Sequence, residues 1–178
     1  MSPTQTVLDE IVQELSNIPL LKSEQIPNID LYMDQVTTFF EEVLSGYKRN
    51  ESDKILTKTM INNYSKGKIL PPSIKKKYTK RHIILLIMTY HLKSILTIPD
   101  IQALLNRLVD YDDQTIETFY RIFLTLEPDK PMDFDTAHLE LENQDLELIL
   151  IVLDLVMQAN YRKRIVEKII DTHFLGKK

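Results

Sequence analysis

Apolar residues recur at helical spacing along most of the chain. Between Val7 and Leu15, for example, apolar side chains fall three or four positions apart and line one face of a helix. No stretch alternates apolar and polar residues for long enough to predict a sheet. The pattern therefore predicts an all-α fold, a helical bundle whose last and longest helix runs from about residue 143 to residue 174.

Capping residues and helix breakers set the predicted boundaries. Thr57, Thr79 and Thr97 are good N-caps, because a threonine hydroxyl can accept a hydrogen bond from the first turn. Gly46 and Gly67 are placed to end helices, and we expect Gly67 to adopt the left-handed conformation that glycine tolerates. The predicted helices cover residues 3–15, 30–45, 58–66, 80–95 and 143–174. A further helix begins at Thr97 and has its core positions within residues 101–108, and another, capped by Asp112 or Asp113, ends near Leu126.

Charge is unevenly distributed along the chain. The 178 residues carry a formal net charge of −4 at pH 7. Residues 54–93, which we call the basic segment, contain ten Lys or Arg and no Asp or Glu, whereas residues 1–53 and residues 94–178 each have a net charge of −7. A long stretch without carboxylates favours a polyanionic partner. The alternative is internal, because the same cations could neutralise the acidic flanks when the chain folds.

The basic segment combines a short polar helix with a cationic loop. Lysine and arginine bind phosphates whatever the base sequence, whereas asparagine can form a paired hydrogen bond with adenine in the major groove. Asn62 and Asn63 are therefore candidate base readers, or else ordinary exposed residues of a short helix. The candidate DNA-binding residues are Lys58, Thr59, Asn62, Asn63, Tyr64, Lys66, Lys68, Lys75, Lys76, Lys77, Tyr78, Lys80 and Arg81.

Two of these cations lie at the start of a predicted helix. Lys80 and Arg81 follow Thr79 directly, where a positive charge opposes the helix dipole and lowers stability. Phosphates bound nearby would offset that cost, and the first-turn amides could themselves bind phosphate. This placement favours a phosphate-binding role for both side chains.

Residues 56–108 resemble the winged helix-turn-helix domain of MerR-type transcription regulators. In that family a capped recognition helix is followed by a glycine, by apolar residues and a proline, and by a basic wing that ends in tyrosine. The resemblance implies that residues 58–66 enter the major groove of duplex DNA and that residues 68–78 form the wing on phosphates. The residues that carry it are Thr57, Tyr64, Gly67, Ile69, Pro71, Lys77, Tyr78, residues 97–101, Leu104 and Leu105.

The whole chain also resembles an uncharacterised family of small bacterial proteins, of the domain of unknown function 1836 type. Three stretches carry this resemblance, namely residues 31–36, residues 56–64 and residues 75–78. The family has no assigned activity, so the resemblance supports the fold and adds nothing to the biochemistry.

Three regions follow from these patterns. Residues 1–29 form an N-terminal helix and connector, residues 30–110 a MerR-like DNA-binding region, and residues 111–178 a C-terminal helical region. In MerR-type regulators a long helix after the DNA-binding domain pairs two subunits, and residues 143–174 are the candidate for that role here. Its broad apolar first half favours packing on the helices at residues 3–15 and 114–126. A homodimer would present two DNA-binding surfaces to two half-sites.

Residues suited to catalysis are sparse. The chain has no cysteine, which excludes disulfides and thiolate metal sites. The histidines lack metal-ligand spacing, and His138 with Glu140 and Glu142 is better explained as part of an acidic loop than as a metal site. We therefore expect no enzymatic activity and no cofactor. We find no signal peptide and no apolar run of membrane-spanning length, so we expect a cytoplasmic protein without a membrane partner.

Two functions are consistent with the sequence. The first is sequence-specific binding of double-stranded DNA by a transcription regulator acting as a dimer. The second is a non-enzymatic protein-interaction module, in which a degenerate helix-turn-helix docks on an acidic partner. The two differ in where the lysines lie. DNA binding requires them together on an exposed surface, whereas pairing with acidic residues of the same chain would remove them from it.

Overall fold

Seven α-helices make up most of the part of the chain that the structure describes. The structure is a computed structural model that describes residues 3–18, 20–126 and 144–175. The helices are α1 (Pro3–Ser16), α2 (Met33–Leu44), α3 (Lys58–Lys66), α4 (Lys80–Leu92), α5 (Ile98–Val109), α6 (Asp113–Phe123) and α7 (Gln144–Ile169). A π-helical turn, Ile170–Phe174, continues α7. The predominantly helical prediction is therefore confirmed.

A small antiparallel sheet, which the hydrophobic pattern does not predict, joins two distant parts of the chain. β1 (Leu31–Tyr32) pairs with β2 (Lys77–Tyr78), with Leu31 opposite Tyr78 and Tyr32 opposite Lys77. The all-α prediction still describes the architecture, and this small sheet adds to it, because strands of two residues are too short to show alternation. The strand also delays the start of α2 to Met33, three residues after the predicted start.

Most predicted caps are present. The Oγ1 atom of Thr57 accepts a hydrogen bond from the Met60 amide at 3.2 Å, and Asp112 Oδ1 accepts one from the Thr115 amide at 2.7 Å. Thr97 opens α5 with a capping box. α2 ends at Leu44, one residue before the predicted end, and Gly46 lies inside the 3₁₀ turn, Ser45–Tyr47, that follows it.

α4 is the central helix of the fold. Ten of its thirteen residues are buried, because α5, α6, α7 and β2 all pack against it. A helix that is apolar on most sides is expected to be enclosed in this way. One hydrophobic cluster surrounds α4 and extends from Leu21 in the first connector to Met157 in α7. The three regions predicted from the sequence therefore share a single core.

The first half of α7 packs inside the molecule, as its broad apolar surface predicts. α7 as a whole contacts α1, α4 and α6, and its hydrogen bond with α1 at Ser16 comes from Tyr161 in the second half. Residues 127–143, with His138, Glu140 and Glu142, lie outside the described residues. The buried side chains of this half are Leu146, Ile149, Leu150, Leu153, Val156 and Met157.

Candidate nucleic-acid interface

α3 is a short amphipathic helix with a polar outer face. Its inner face buries Ile61 and Tyr64, which belong to the core cluster. α2 packs against α3, and β2 packs against α2, so the helix and the strand share one support. The side chains that remain exposed on α3 are Lys58, Thr59, Asn62, Asn63 and Lys66.

The end of α3 is a Schellman motif built without a left-handed glycine. The Lys68 amide donates to the Ser65 carbonyl at 3.2 Å, and the Ile69 amide donates to the Tyr64 carbonyl at 3.0 Å. The left-handed residue is Lys68, with a φ of 56°, whereas Gly67 has a φ of −76°. The prediction for Gly67 is therefore wrong. A Cβ at Gly67 would approach the Asn63 carbonyl oxygen to 3.2 Å, so this glycine relieves crowding instead.

The basic loop folds into a tight β-hairpin, residues 74–77. Ile74 and Lys77 exchange two backbone hydrogen bonds, with N–O distances of 3.2 and 2.9 Å. The two residues at the turn, Lys75 and Lys76, have φ values of 51° and 63°. Positive φ at both central residues is the pattern of a type I′ turn, in which Asn-Gly is the usual pair. Lysine there costs about 1–2 kcal/mol per residue, because Cβ meets the following carbonyl.

The hairpin is fixed to the rest of the fold through β2. Pairing of β2 with β1 places Lys77 Nζ 5.3 Å from the centre of the Tyr32 ring, a cation–π contact. The Tyr78 ring packs edge-on against the His82 ring, with 5.5 Å between the ring centres. These contacts hold the two turn lysines at the tip of a short, anchored projection.

His82 joins the start of α4 to the loop before the hairpin. Its Nδ1 accepts a hydrogen bond from the Thr79 amide at 3.1 Å, which leaves Nε2–H to donate to the Pro71 carbonyl at 3.2 Å. Burial lowers the pKa of His82, partly opposed by the hydrogen bonds to the carbonyls of Pro71 and Pro72. This buried histidine is neutral at pH 7, so it adds no charge to the basic segment.

Several cations of the basic segment pair with carboxylates of the same chain. Lys80 Nζ lies 2.9 Å from Glu117 Oε1, and the nearest Arg81 nitrogen lies 3.3 Å from Asp113 Oδ1. Lys58, at the start of α3, forms an ion pair with Asp34 but is still more than half exposed. Part of the basic segment therefore neutralises acidic residues of the same chain, which was the alternative to a polyanionic partner.

Arg81 also caps the C-terminal end of α5. Its guanidinium donates to the carbonyls of Leu108, at 3.2 Å, and Val109. These carbonyls lie in the last turn of α5, where a cation complements the helix dipole. Lys80 and Arg81 therefore already have carboxylate partners on α6, and phosphate contact by these two side chains stays a prediction.

The two candidate tyrosines belong to the core. Tyr64 is 6% exposed and Tyr78 is 5% exposed, and burial raises the pKa of both phenols. Both rings fill the space beneath α3 and the sheet, so the expectation that they face a ligand is corrected.

Of the remaining candidate residues, all but the half-buried Lys77 are exposed, and all lie between residues 58 and 77. No ion pair within the described residues holds Lys66, Lys68, Lys75 or Lys76. Tyr32 and Ile74 were not predicted as part of this surface, yet they are 54% and 62% exposed beside the hairpin. No sequence signal marks Tyr32, because its position depends on strand pairing with β2.

Other classes of site are not evident in the described part of the chain. Residues 3–18, 20–126 and 144–175 contain no group of three or more His, Cys, Asp or Glu side chains able to hold a metal ion. Among the same residues, no helix has both the length and the apolar character needed to cross a bilayer.

The fold and the surface define a mostly helical protein with a small sheet and a lysine-rich projection. Residues 21–123 match the family described as Domain of unknown function (DUF1836), and this is more than half of the chain. The protein therefore belongs to that family, as the resemblance in the sequence indicated. The match covers β1, β2 and every helix from α2 to α6. No curated protein and no solved structure shows significant similarity to the chain.

Proposed function

We propose that the protein binds double-stranded DNA and regulates transcription. The supporting observation is the exposed set formed by Lys66, Lys68, Lys75 and Lys76, which lack carboxylate partners in the described residues. Lys66 is the last residue of α3, and the other three lysines follow it within ten residues of the chain. The order of capped helix, turn and basic hairpin is also the order found in MerR-type winged helix-turn-helix domains.

The parts of this surface differ in their proposed roles. α3 enters the major groove, where Asn62 and Asn63 read adenine edges through paired hydrogen bonds. The hairpin acts as the wing, and Lys75 and Lys76 contact phosphates beside the groove. Lys58 exchanges Asp34 for a phosphate, because its exposed ion pair contributes little to stability.

The test uses a variant that removes charge and relieves strain together. Lys75→Asn/Lys76→Gly restores the preferred residues of a type I′ turn, so the protein should become more stable. Loss of two phosphate contacts should reduce the slope of log K against log salt by about 2. DNA selected from a random pool supplies the probe, and fluorescence anisotropy at several salt concentrations supplies the slope.

A matched control removes the same two charges elsewhere. Lys22→Ala/Arg162→Ala changes exposed residues of the first connector and of α7, so the slope should stay close to that of the unmodified protein. The proposal is wrong if the unmodified protein shows no DNA binding at low salt. An unchanged slope in Lys75→Asn/Lys76→Gly would also overturn it.

A second candidate function is docking on an acidic protein. It is favoured by the pairing of Lys58, Lys80 and Arg81 with carboxylates, which shows that this segment already binds acidic side chains. Copurification of an acidic protein, lost in Lys75→Asn/Lys76→Gly and accompanied by no DNA binding, would support this alternative over the first.

We further propose that DNA binding involves a homodimer paired through α7. Its support is a set of exposed apolar side chains on α7, comprising Leu148, Leu155 and Val166. Dimerisation would double the number of phosphate contacts. Sedimentation equilibrium at micromolar concentration should give twice the monomer mass of 20.9 kDa, and a monomer that binds DNA would contradict the dimer alone.

A further inference from the structure

A cleft lies among residues outside the candidate DNA-binding set. This cleft has a volume of about 290 Å³ and lies between the loop before α3, the end of α4 and the second half of α7. Small-molecule sites typically occupy about 300–1,000 Å³, so the cleft suits a compact metabolite.

Cations dominate the lining of the cleft. Its carboxylates are those of Asp53 and Glu167, and both have partners. Asp53 accepts a hydrogen bond from the Asn50 amide at 2.9 Å, and Glu167 lies 3.2 Å from Arg49 and 3.9 Å from Lys163. The cationic side chains that line the cleft are Lys48, Arg49, Lys54, Lys93, Lys163 and Arg164.

Two of these cations are partly desolvated without a paired carboxylate. Lys93 Nζ donates to the Ile55 carbonyl at 2.8 Å and lies 4.7 Å from the centre of the Tyr90 ring. The Arg164 guanidinium lies 4.9 Å from the centre of the Tyr47 ring. Neither forms an ion pair within the described residues, and burial lowers the pKa of both. Glu14 and Glu167 favour the charged form of Arg164, but only from beyond ion-pair distance. A partly desolvated cation with no carboxylate in direct contact is costly unless an anion binds beside it.

The wall behind these cations is aromatic and neutral. The rings of Tyr47 and Tyr90 meet edge to face, with 6.3 Å between their centres. His91 packs behind Tyr47, and burial lowers its pKa to about 4, so it adds no further positive charge at pH 7. The Tyr90 and Tyr47 rings hold the charged ends of Lys93 and Arg164 at the wall of the cleft, which both side chains line.

We propose that this cleft binds a small phosphate-bearing metabolite, with Lys93 and Arg164 as its anchoring cations and Lys54 and Lys163 at its edge. A phosphate monoester carries nearly two negative charges at pH 7, so it matches two unpaired cations better than a single carboxylate does. The guanidinium fork of Arg164 also suits two phosphate oxygens. This site is independent of DNA binding, because the two surfaces share no residue.

The experiment measures binding of defined probes to the full chain by isothermal titration calorimetry. Glycerol 3-phosphate and pyrophosphate are the phosphate probes, and acetate at equal ionic strength is the comparison. We expect saturable binding of at least one phosphate probe and none of acetate. Arg164→Gln and Lys93→Gln should each weaken the binding by about tenfold or more, because each loses a charge-assisted contact.

The matched control lies on the same helix. Arg162→Gln removes the same charge from an exposed position of α7 outside the cleft, so binding should change by less than about twofold. If the two anchoring variants fail to fold, Lys54→Gln and Lys163→Gln, at more exposed positions, should still weaken binding by a few-fold.

Several results would overturn the site. They are the absence of saturable phosphate binding, equal binding of acetate, and full binding by folded Arg164→Gln and Lys93→Gln. Unchanged binding in both Lys54→Gln and Lys163→Gln would do the same if the anchoring variants do not fold. DNA affinity measured on Arg164→Gln separates the two surfaces, because loss of the phosphate site leaves the lysines of α3 and the hairpin in place.

Discussion

Lys80 and Glu117 form an ion pair, with 2.9 Å between Lys80 Nζ and Glu117 Oε1, that joins the first turn of α4 to α6. Arg121 approaches the same oxygen at 3.0 Å from a more exposed position on α6 itself. The Ser23 hydroxyl donates to this oxygen as well, at 2.9 Å. Glu117 therefore connects the first connector, α4 and α6, and it engages a lysine that the sequence assigned to DNA.

This arrangement predicts unequal effects for the two cations. Lys80→Met should lower the free energy of unfolding by about 1–2 kcal/mol, because it leaves a partly buried carboxylate without its main partner. Arg121→Met should cost about 0.5 kcal/mol or less, since exposed pairs on one helix are weak. Urea unfolding of both variants checks the difference, and equal losses would contradict the structural role of Lys80.

The left-handed residue after α3 predicts a stabilising substitution. Lys68→Gly should raise the free energy of unfolding by about 1 kcal/mol, because glycine adopts a positive φ without a Cβ clash. Lys66→Gly, two residues earlier and inside the helix, should lower it by about 1 kcal/mol. If Lys68 is the C′ residue, thermal and urea unfolding should show changes of opposite sign in the free energy of unfolding for Lys68→Gly and Lys66→Gly. Two losses of similar size would contradict that assignment.

The proposed base readers can be separated from the proposed phosphate contacts. Asn62→Ala or Asn63→Ala should weaken binding to the selected DNA site by about 1–3 kcal/mol, with little change on random DNA. Lys66→Gln should weaken binding to both DNAs by a similar factor, because phosphates carry no sequence. Competition titrations on the two DNAs measure this, and a uniform loss in both asparagine variants would remove them from base reading.

His91 predicts how stability depends on pH. Its two ring nitrogens are buried without hydrogen-bond partners, and burial lowers its pKa to about 4 from an ordinary value of 6.5. The unfolded chain therefore takes up a proton at higher pH than the folded protein does. The contribution of neutral His91 to stability is complete above about pH 6.5 and is lost as the pH falls towards 4.

Replacing His91 should make the free energy of unfolding less dependent on pH between pH 7 and pH 4. Between pH 7 and pH 4 the unmodified protein should lose on the order of 3 kcal/mol more free energy of unfolding than His91→Leu does, because leucine has no proton to take up. Urea unfolding at several pH values measures the difference between the two proteins, in which the shared carboxylates cancel. A constant difference across the range would show that His91 is solvated or paired.

The helices were predictable because each depends on local residues. Thr57 and Asp112 cap helices through hydrogen bonds within one turn, and such contacts depend on neighbours in sequence. The sheet was not predictable in the same way. Tyr32 meets Lys77 only because the folded chain brings residues 45 positions apart side by side, and no periodicity reports such a pairing.

The candidate surface was predicted in part for similar reasons. The candidates on α3 were right for Lys58, Asn62 and Lys66, which are exposed, and wrong for Tyr64, which the period of the helix places on the buried face. The partners of Lys80 and Arg81 come from α5 and α6, so a local charge count could not find them. The turn conformation of Lys75 and Lys76 was equally hidden, because lysine carries no preference for positive φ.

Lys68, Lys75 and Lys76 all have a positive φ, which affects what directed evolution for stability would select. Glycine or asparagine at residues 68, 75 and 76 would raise the free energy of unfolding, since a positive φ disfavours most other side chains. A library screened only for heat resistance should therefore enrich replacements at these sites. If the lysines are retained because they contact DNA, the variants selected by such a screen will be more stable and will bind DNA less tightly.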